Sequence, residues 1–144
     1  MSELLISIKP KHIDKIFSSL KTVELRRTRP NPKYTKPGTI IWLYASSPRC
    51  QLQGKCILNH VIENSPPLLI WSQVHQHCAI TYQEFVSYYQ GATTGYGLYL
   101  TSVIEFPKPI NLSTLRQQIP QFHPPQTYRY LNSVAVEIIE KLLQ

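Results

Sequence analysis

The chain has 144 residues, of which 42% are hydrophobic and 16% charged, a balance that supports one folded domain and excludes a disordered chain. Three cysteines, odd in number and without framework spacing, exclude a disulfide scaffold and predict reduced thiols in a cytoplasmic setting. The formal charge of +7 is confined to one window: Lys9 to Lys36 holds nine basic residues against Asp14 and Glu24, and the remainder holds six of each sign.

Such a one-sided field attracts polyanions and weakens with salt; a solubilising face with no partner is the competing reading. The apolar run Leu4 to Ile8 is too short for a secretory signal and no basic n-region precedes it. No stretch reaches the roughly 18 apolar residues of a membrane span, so no membrane partner is expected.

Twelve prolines predict long ordered loops and short elements. Leu4 to Ile8 reads as a buried strand. Lys9-Pro10 opens a helix, proline being suited to the first turn. Ile13, Ile16, Phe17 and Leu20, at i, i+3, i+4 and i+7, make its apolar stripe. Val23 and Leu25 then alternate with Thr22, Glu24 and Arg26, the period of a strand. One face of it enters the core and the other presents a hydroxyl, a carboxylate and a guanidinium. Pro30, Pro32, Pro37 and Gly38 mark a long basic loop. Thr39 to Ala45 is apolar enough for a central strand ending at Ser46-Ser47-Pro48, and Gly54 to Glu63 gives another. Pro66 to His77 holds a short helix, and the capping-box spacing of Thr81 and Glu84 places a helix at about 82–90. Gly95-Tyr96-Gly97 leads into a strand from Leu98 to Phe106, and Asn111 to Gln118 is a short helix. Pro120 to Tyr130 is extended, and Ser133 to Leu143 closes the chain as a helix. Strands and helices do not alternate as βαβ units would. The expectation is an α+β fold, a mixed, strongly bent sheet or small β-barrel surrounded by short helices.

The run Leu5-Ile6-Ser7-Ile8-Lys9-Pro10, then Ile16-Phe17, then Lys21-Thr22-Val23-Glu24-Leu25-Arg26-Arg27 resembles the opening of ASCH domains, a branch of the PUA-like superfamily. The likeness continues through Ile41 to Pro48, Gly54 with its strand, Gly95-Tyr96, and the tail Pro124 to Leu131. It spans nearly the full chain and implies one ASCH domain over 1–144, with a C-terminal extension from about 120 packed on it. It also implies a pseudo-barrel with a cleft between the first helix and the strand after it, which binds RNA or a modified nucleotide. Some relatives are amidohydrolases of acetylated cytidine, using a lysine, a threonine three residues later and a glutamate ahead of a later helix. Lys21 matches the first, but Glu24 stands at the threonine's place and Cys78 at the glutamate's. A carboxylate does not replace a hydroxyl nucleophile, so binding is favoured over inherited catalysis.

Lys21, at a helix-to-strand turn, is the first candidate: a phosphate clamp, or an exposed turn lysine on position alone. Glu24 and Arg26 share a strand face and suit a ribose or base edge and a phosphate, or else an internal ion pair. Thr22 is read on that same face. Lys9 and Arg27 are candidate phosphate contacts. Tyr34 in the basic loop and Tyr128 in the tail are candidates for stacking on bases. Ser46 and Ser47 suit phosphate or base edges, with turn capping as the alternative. His75-Gln76-His77-Cys78 lacks the second ligand pair of a zinc site, and no phosphate-binding glycine loop is present, so no metal or cofactor is expected. RNA or a nucleotide is the expected partner. A metal-independent ribonuclease or nucleoside amidohydrolase using Lys21 and Glu24 as catalytic groups, and a protein-interaction module, are the alternatives.

Overall fold

The computed structural model describes residues 2–144. Its strands are β1 (Glu3–Ile8), β2 (Val23–Arg26), β3 (Ile40–Ala45), β4 (Gln51–Asn64), β5 (Gly95–Asn111) and β6 (Tyr128–Leu131). Its helices are α1 (Pro10–Phe17), α2 (Trp71–Val74, entered through a 3-10 turn at Pro67–Ile70), α3 (Tyr82–Tyr89), α4 (Leu112–Gln118) and α5 (Ser133–Leu142). The strands form one mixed sheet in the order β2-β5-β4-β3-β1-β6, parallel only between β1 and β3.

β1 lies inside the sheet and is covered on both faces, which is why its sequence is an unbroken apolar run. Leu4, Ile6 and Ile8 point to a cluster with Ile13 and Ile16 of α1, Leu43 and Leu58. Leu5 points the other way, to Trp42, Leu115 of α4, and Ala135, Val136 and Ile139 of α5. A third cluster joins Val23 and Leu25 of β2 to Ile70, Val74, Phe85 and Tyr89. The tail thus adds β6 to β1's free edge and lays α5 over the second of these faces.

The sheet is bent but not closed: β2 and β6 remain at its edges, where a closed small barrel was one expectation. Both edge strands have four residues, and β2 runs straight into a loop whose prolines carry no donor. Side chains span the gap instead. Arg26 Nη2 donates to the Ser7 carbonyl at 2.8 Å, the Tyr128 hydroxyl donates to the Thr28 carbonyl at 2.9 Å, and the Asn31 N–H donates to the Tyr130 hydroxyl at 2.6 Å. Covering edges in this way leaves little for another strand to pair with.

α1 ends a turn earlier than its stripe predicts. The N–H groups of Leu20 and Lys21 both bond to the Lys15 carbonyl, and Ser19 takes a left-handed φ of 67°. Leu20 is therefore outside the stripe and 67% exposed. The reversal turns Lys21 inward. The capping box of α3 forms as read, Thr81 Oγ1 accepting from the Glu84 N–H at 3.1 Å and Glu84 Oε1 from the Thr81 N–H at 3.0 Å.

Gly54 carries the closest packing in the sheet. A Cβ there would stand 2.6 Å from the Phe17 ring and closer still to the Ile104 carbonyl. Gly54→Ala is expected to cost about 1–3 kcal/mol, the range for overpacking, as read by chemical denaturation. Among the described residues no helix is long and apolar enough to cross a membrane.

Candidate functional site

β2 is short, but every residue in it is buried. Val23 and Leu25 go to the core, and the alternation sends Glu24 and Arg26 to the opposite face. There they meet Lys21, which is only 2% exposed. Lys21 Nζ donates to the Cys78 carbonyl at 2.8 Å and stands 3.4 Å from Glu24 Oε1. Arg26 Nη2 donates to Glu24 Oε2 at 2.8 Å, and its guanidinium lies over the Tyr128 ring, 5.7 Å from the centroid. One carboxylate thus sits between two cations, one on each oxygen. Burial opposes ionisation of Glu24, but Arg26 and then Lys21 outweigh it and hold the carboxyl below its ordinary range. For Arg26, burial likewise opposes the charge and Glu24 more than restores it.

This trio forms the floor of a cleft of about 850 Å³. Lys9 and Lys11 stand at its mouth, Ser46 and Ser47 line it from the end of β3, and Ile80 and Tyr88 line it from the α3 side. Pro124 and Pro125 close it from the tail. Three lining residues carry buried polar atoms with no protein partner: Ser7 Oγ, His12 Nδ1 and Arg26 Nε. Burial first, then the Lys21 charge, hold His12 below its ordinary value, which leaves a neutral imidazole near pH 7. Burial, with the Cys50 thiol beside it, pushes the Tyr44 hydroxyl up to about 12.

Of the residues singled out from sequence, Lys9, Lys21, Glu24, Arg26, Ser46 and Ser47 come together in this cleft. Thr22, Arg27, Tyr34 and Tyr128 do not line it. Thr22 stands just before β2: its N–H donates to the His77 carbonyl, its carbonyl accepts from the Leu100 N–H of β5, and its hydroxyl is buried. Arg27 points to a separate polar depression with Thr28, Thr93 and Thr94. Tyr34 packs on Tyr130 with ring centroids 5.4 Å apart, and Tyr128 backs Arg26 from behind. Cys78 lies beside Lys21, to which it offers a backbone carbonyl, while its side chain enters the third core cluster. Among the described residues no group of three or more His, Cys, Asp or Glu is placed to hold a metal.

His12, Ser7, Tyr44 and Lys11 were not singled out from sequence. Ser7 and Tyr44 meet because β1 and β3 pair in parallel, with Ser7 opposite Tyr44. No local pattern marks that long-range contact. The adjacency of Lys11 and His12 to Lys9 was the one available signal for the other two.

A bent mixed sheet of this order, with a polar cleft beyond the end of β1, defines an α+β domain of the PUA-like class. A relative from Zymomonas mobilis named ASCH domain-containing ribonuclease is 30% identical over 129 residues, 90% of this chain and 84% of the relative. The chain belongs to the ASCH domain family. The crystal structure of ASCH from Zymomonas mobilis superposes with a TM-score of 0.88 at 27% identity, over 97% of this chain and 94% of that one. Human THYN1, solved in complex with 5-methylcytosine containing DNA, shares the fold alone: TM-score 0.59 and 11% identity, over 100% of this chain and 98% of that one. No family profile matches the chain.

Proposed function

We propose that the cleft binds single-stranded RNA. The observation that carries this reading is the gathering of Lys21, Glu24, Arg26, Ser46 and Ser47 in one cleft whose mouth is lysine-rich. A ligand with many donors and acceptors and a negative backbone satisfies both features. Lys9 and Lys11 take phosphate, Ser46 and Ser47 donate to phosphate or sugar, and Lys21 and Glu24 meet a base edge. Arg27 adds affinity from outside the cleft without selecting sequence. The relative named a ribonuclease supports RNA as the polymer.

The reading is tested by fluorescence anisotropy of a labelled mixed-sequence RNA across a salt series. Affinity is expected to fall with salt with a slope of about 0.7 per neutralised phosphate. No binding at low salt would contradict it.

Strand cleavage is the second reading, favoured by that relative's name. Glu24 is a poor acid in such a step, because two cations keep it ionised. Its part is to hold the substrate. If RNA is cleaved, Lys21→Ala is expected to abolish product formation with a chelator present throughout; cleavage that survives it belongs to another site or another protein. Acetylated nucleosides are not expected to turn over, since Glu24 replaces the hydroxyl that such chemistry requires.

A further inference from the structure

We propose that the floor of the cleft reads guanine. This rests on the RNA-binding reading and adds to it the base that the site selects.

The floor presents its groups in a fixed order. Lys21 Nζ stands 3.4 Å from one oxygen of Glu24, and Arg26 Nη2 stands 2.8 Å from the other. The groups with capacity left run donor, acceptor, acceptor: Lys21 and the two oxygens of Glu24. An ionised carboxylate offers about four lone-pair sites, and two of these face the flanking cations. The ammonium has three hydrogens, of which the Cys78 carbonyl and Glu24 take two. Arg26 Nη2 donates to the Ser7 carbonyl and to Glu24, so Arg26 fixes the carboxylate and leaves the base to Lys21 and Glu24.

The complementary ligand edge runs acceptor, donor, donor. Guanine carries that run as O6, N1–H and the N2 amino group. Among the four RNA bases it alone has two neighbouring donors to meet both oxygens of a carboxylate. Adenine and cytosine put a ring-nitrogen acceptor beside their amino group, so a lone pair would face the second oxygen of Glu24. Uracil has one N–H between two carbonyls and meets the same repulsion. A site of buried hydrogen-bonding groups discriminates strongly against a ligand that leaves them unpaired.

The walls suit a planar ring. Ile80, Pro124 and Pro125 supply apolar surface, and Tyr88 adds an aromatic ring. The arrangement also depends on Glu24 being charged, and Arg26 and Lys21 keep it so despite its burial.

The test leaves the protein unchanged and varies the base. Labelled adenosine pentamers carry one central guanosine, inosine, N1-methylguanosine or adenosine, and binding is read by anisotropy at low salt. The guanosine pentamer is expected to bind tightest. Inosine, which lacks the N2 amino group, is expected to bind about ten- to a hundredfold more weakly, the range for one hydrogen bond to a charged group. N1-methylguanosine is expected to bind no better than adenosine. Equal affinities across the four overturn guanine selection and leave RNA binding standing. Absence of binding to all four overturns both. Glu24→Gln, which turns one acceptor into a donor, is expected to erase the difference between guanosine and inosine. A folded Glu24→Gln protein that keeps the full difference overturns the proposal, and the pentamer series decides it alone if that variant does not fold.

Discussion

Replacing Glu24 with alanine is expected to destabilise the fold by about 3–5 kcal/mol, the range for removing one partner from a buried ion pair. The reason is less the lost attraction than what remains. Lys21 and Arg26 stay buried, at 2% and 8% exposure, with no anion between them. Urea denaturation of the wild type and of Glu24→Ala measures the difference. A loss below about 1 kcal/mol would mean that water reaches both cations in the folded state. The same pair sets a pH dependence. Glu24 has a folded pKa depressed below its unfolded value, so its contribution is present above the unfolded value near 4.5 and is lost as pH falls through the folded one. Acid titration of the wild type is therefore expected to show a stability loss below pH 4.5 that Glu24→Gln largely lacks.

Arg26→Lys is expected to cost about 2–3 kcal/mol although the charge is kept. Arg26 performs three tasks at once. It donates to the Ser7 carbonyl and to Glu24, at 2.8 Å each, and it covers the Tyr128 ring. A planar guanidinium can do this from one position; an ammonium is a point charge on a flexible stem and cannot. The carbonyl of Ser7 lies just past Ile6, the last β1 residue that β6 pairs. Losing its donor leaves an acceptor unsatisfied, a cost of about 1–3 kcal/mol by itself. Equal denaturation midpoints for Arg26→Lys and wild type would remove Arg26 from the bridge between β2 and β1.

The polar face of β2 was legible because a strand's period is local: Val23 and Leu25 announce which way Glu24 and Arg26 must point. The capping box at Thr81 was legible for the same reason. What failed did so where a local pattern was carried past its end. The stripe of α1 includes Leu20 by spacing, yet the helix stops at Phe17 because the chain reverses over Ser19. Thr22 stands just before β2 with its carbonyl bonded to Leu100 of β5, and its buried hydroxyl does not line the cleft. Tyr34 and Tyr128, read as stacking platforms from their setting, lie outside the cleft, with their rings against Tyr130 and Arg26. The remainder of the cleft depends on which strands become neighbours. Ser7 faces Tyr44 across a parallel pair whose strands are separated by α1, β2 and a long loop. That pairing is a property of the whole fold.

The basic window itself splits in two once folded. Lys9 and Lys11 are exposed at the cleft, while Lys33 and Lys36 are exposed on the loop and do not line it. A paired charge reversal tests whether RNA enters the cleft or only feels the field. Lys9→Glu with Lys11→Glu is compared with Lys33→Glu with Lys36→Glu, each changing the net charge by the same amount. The acidic substitutions at Lys9 and Lys11 sit at the N-terminal end of α1, where negative charge is tolerated. RNA affinity, measured by anisotropy across a salt series, is expected to fall at least about tenfold for the cleft pair, with a shallower salt slope, and about two- to threefold for the loop pair. An equal or larger loss from the loop pair would contradict binding in the cleft.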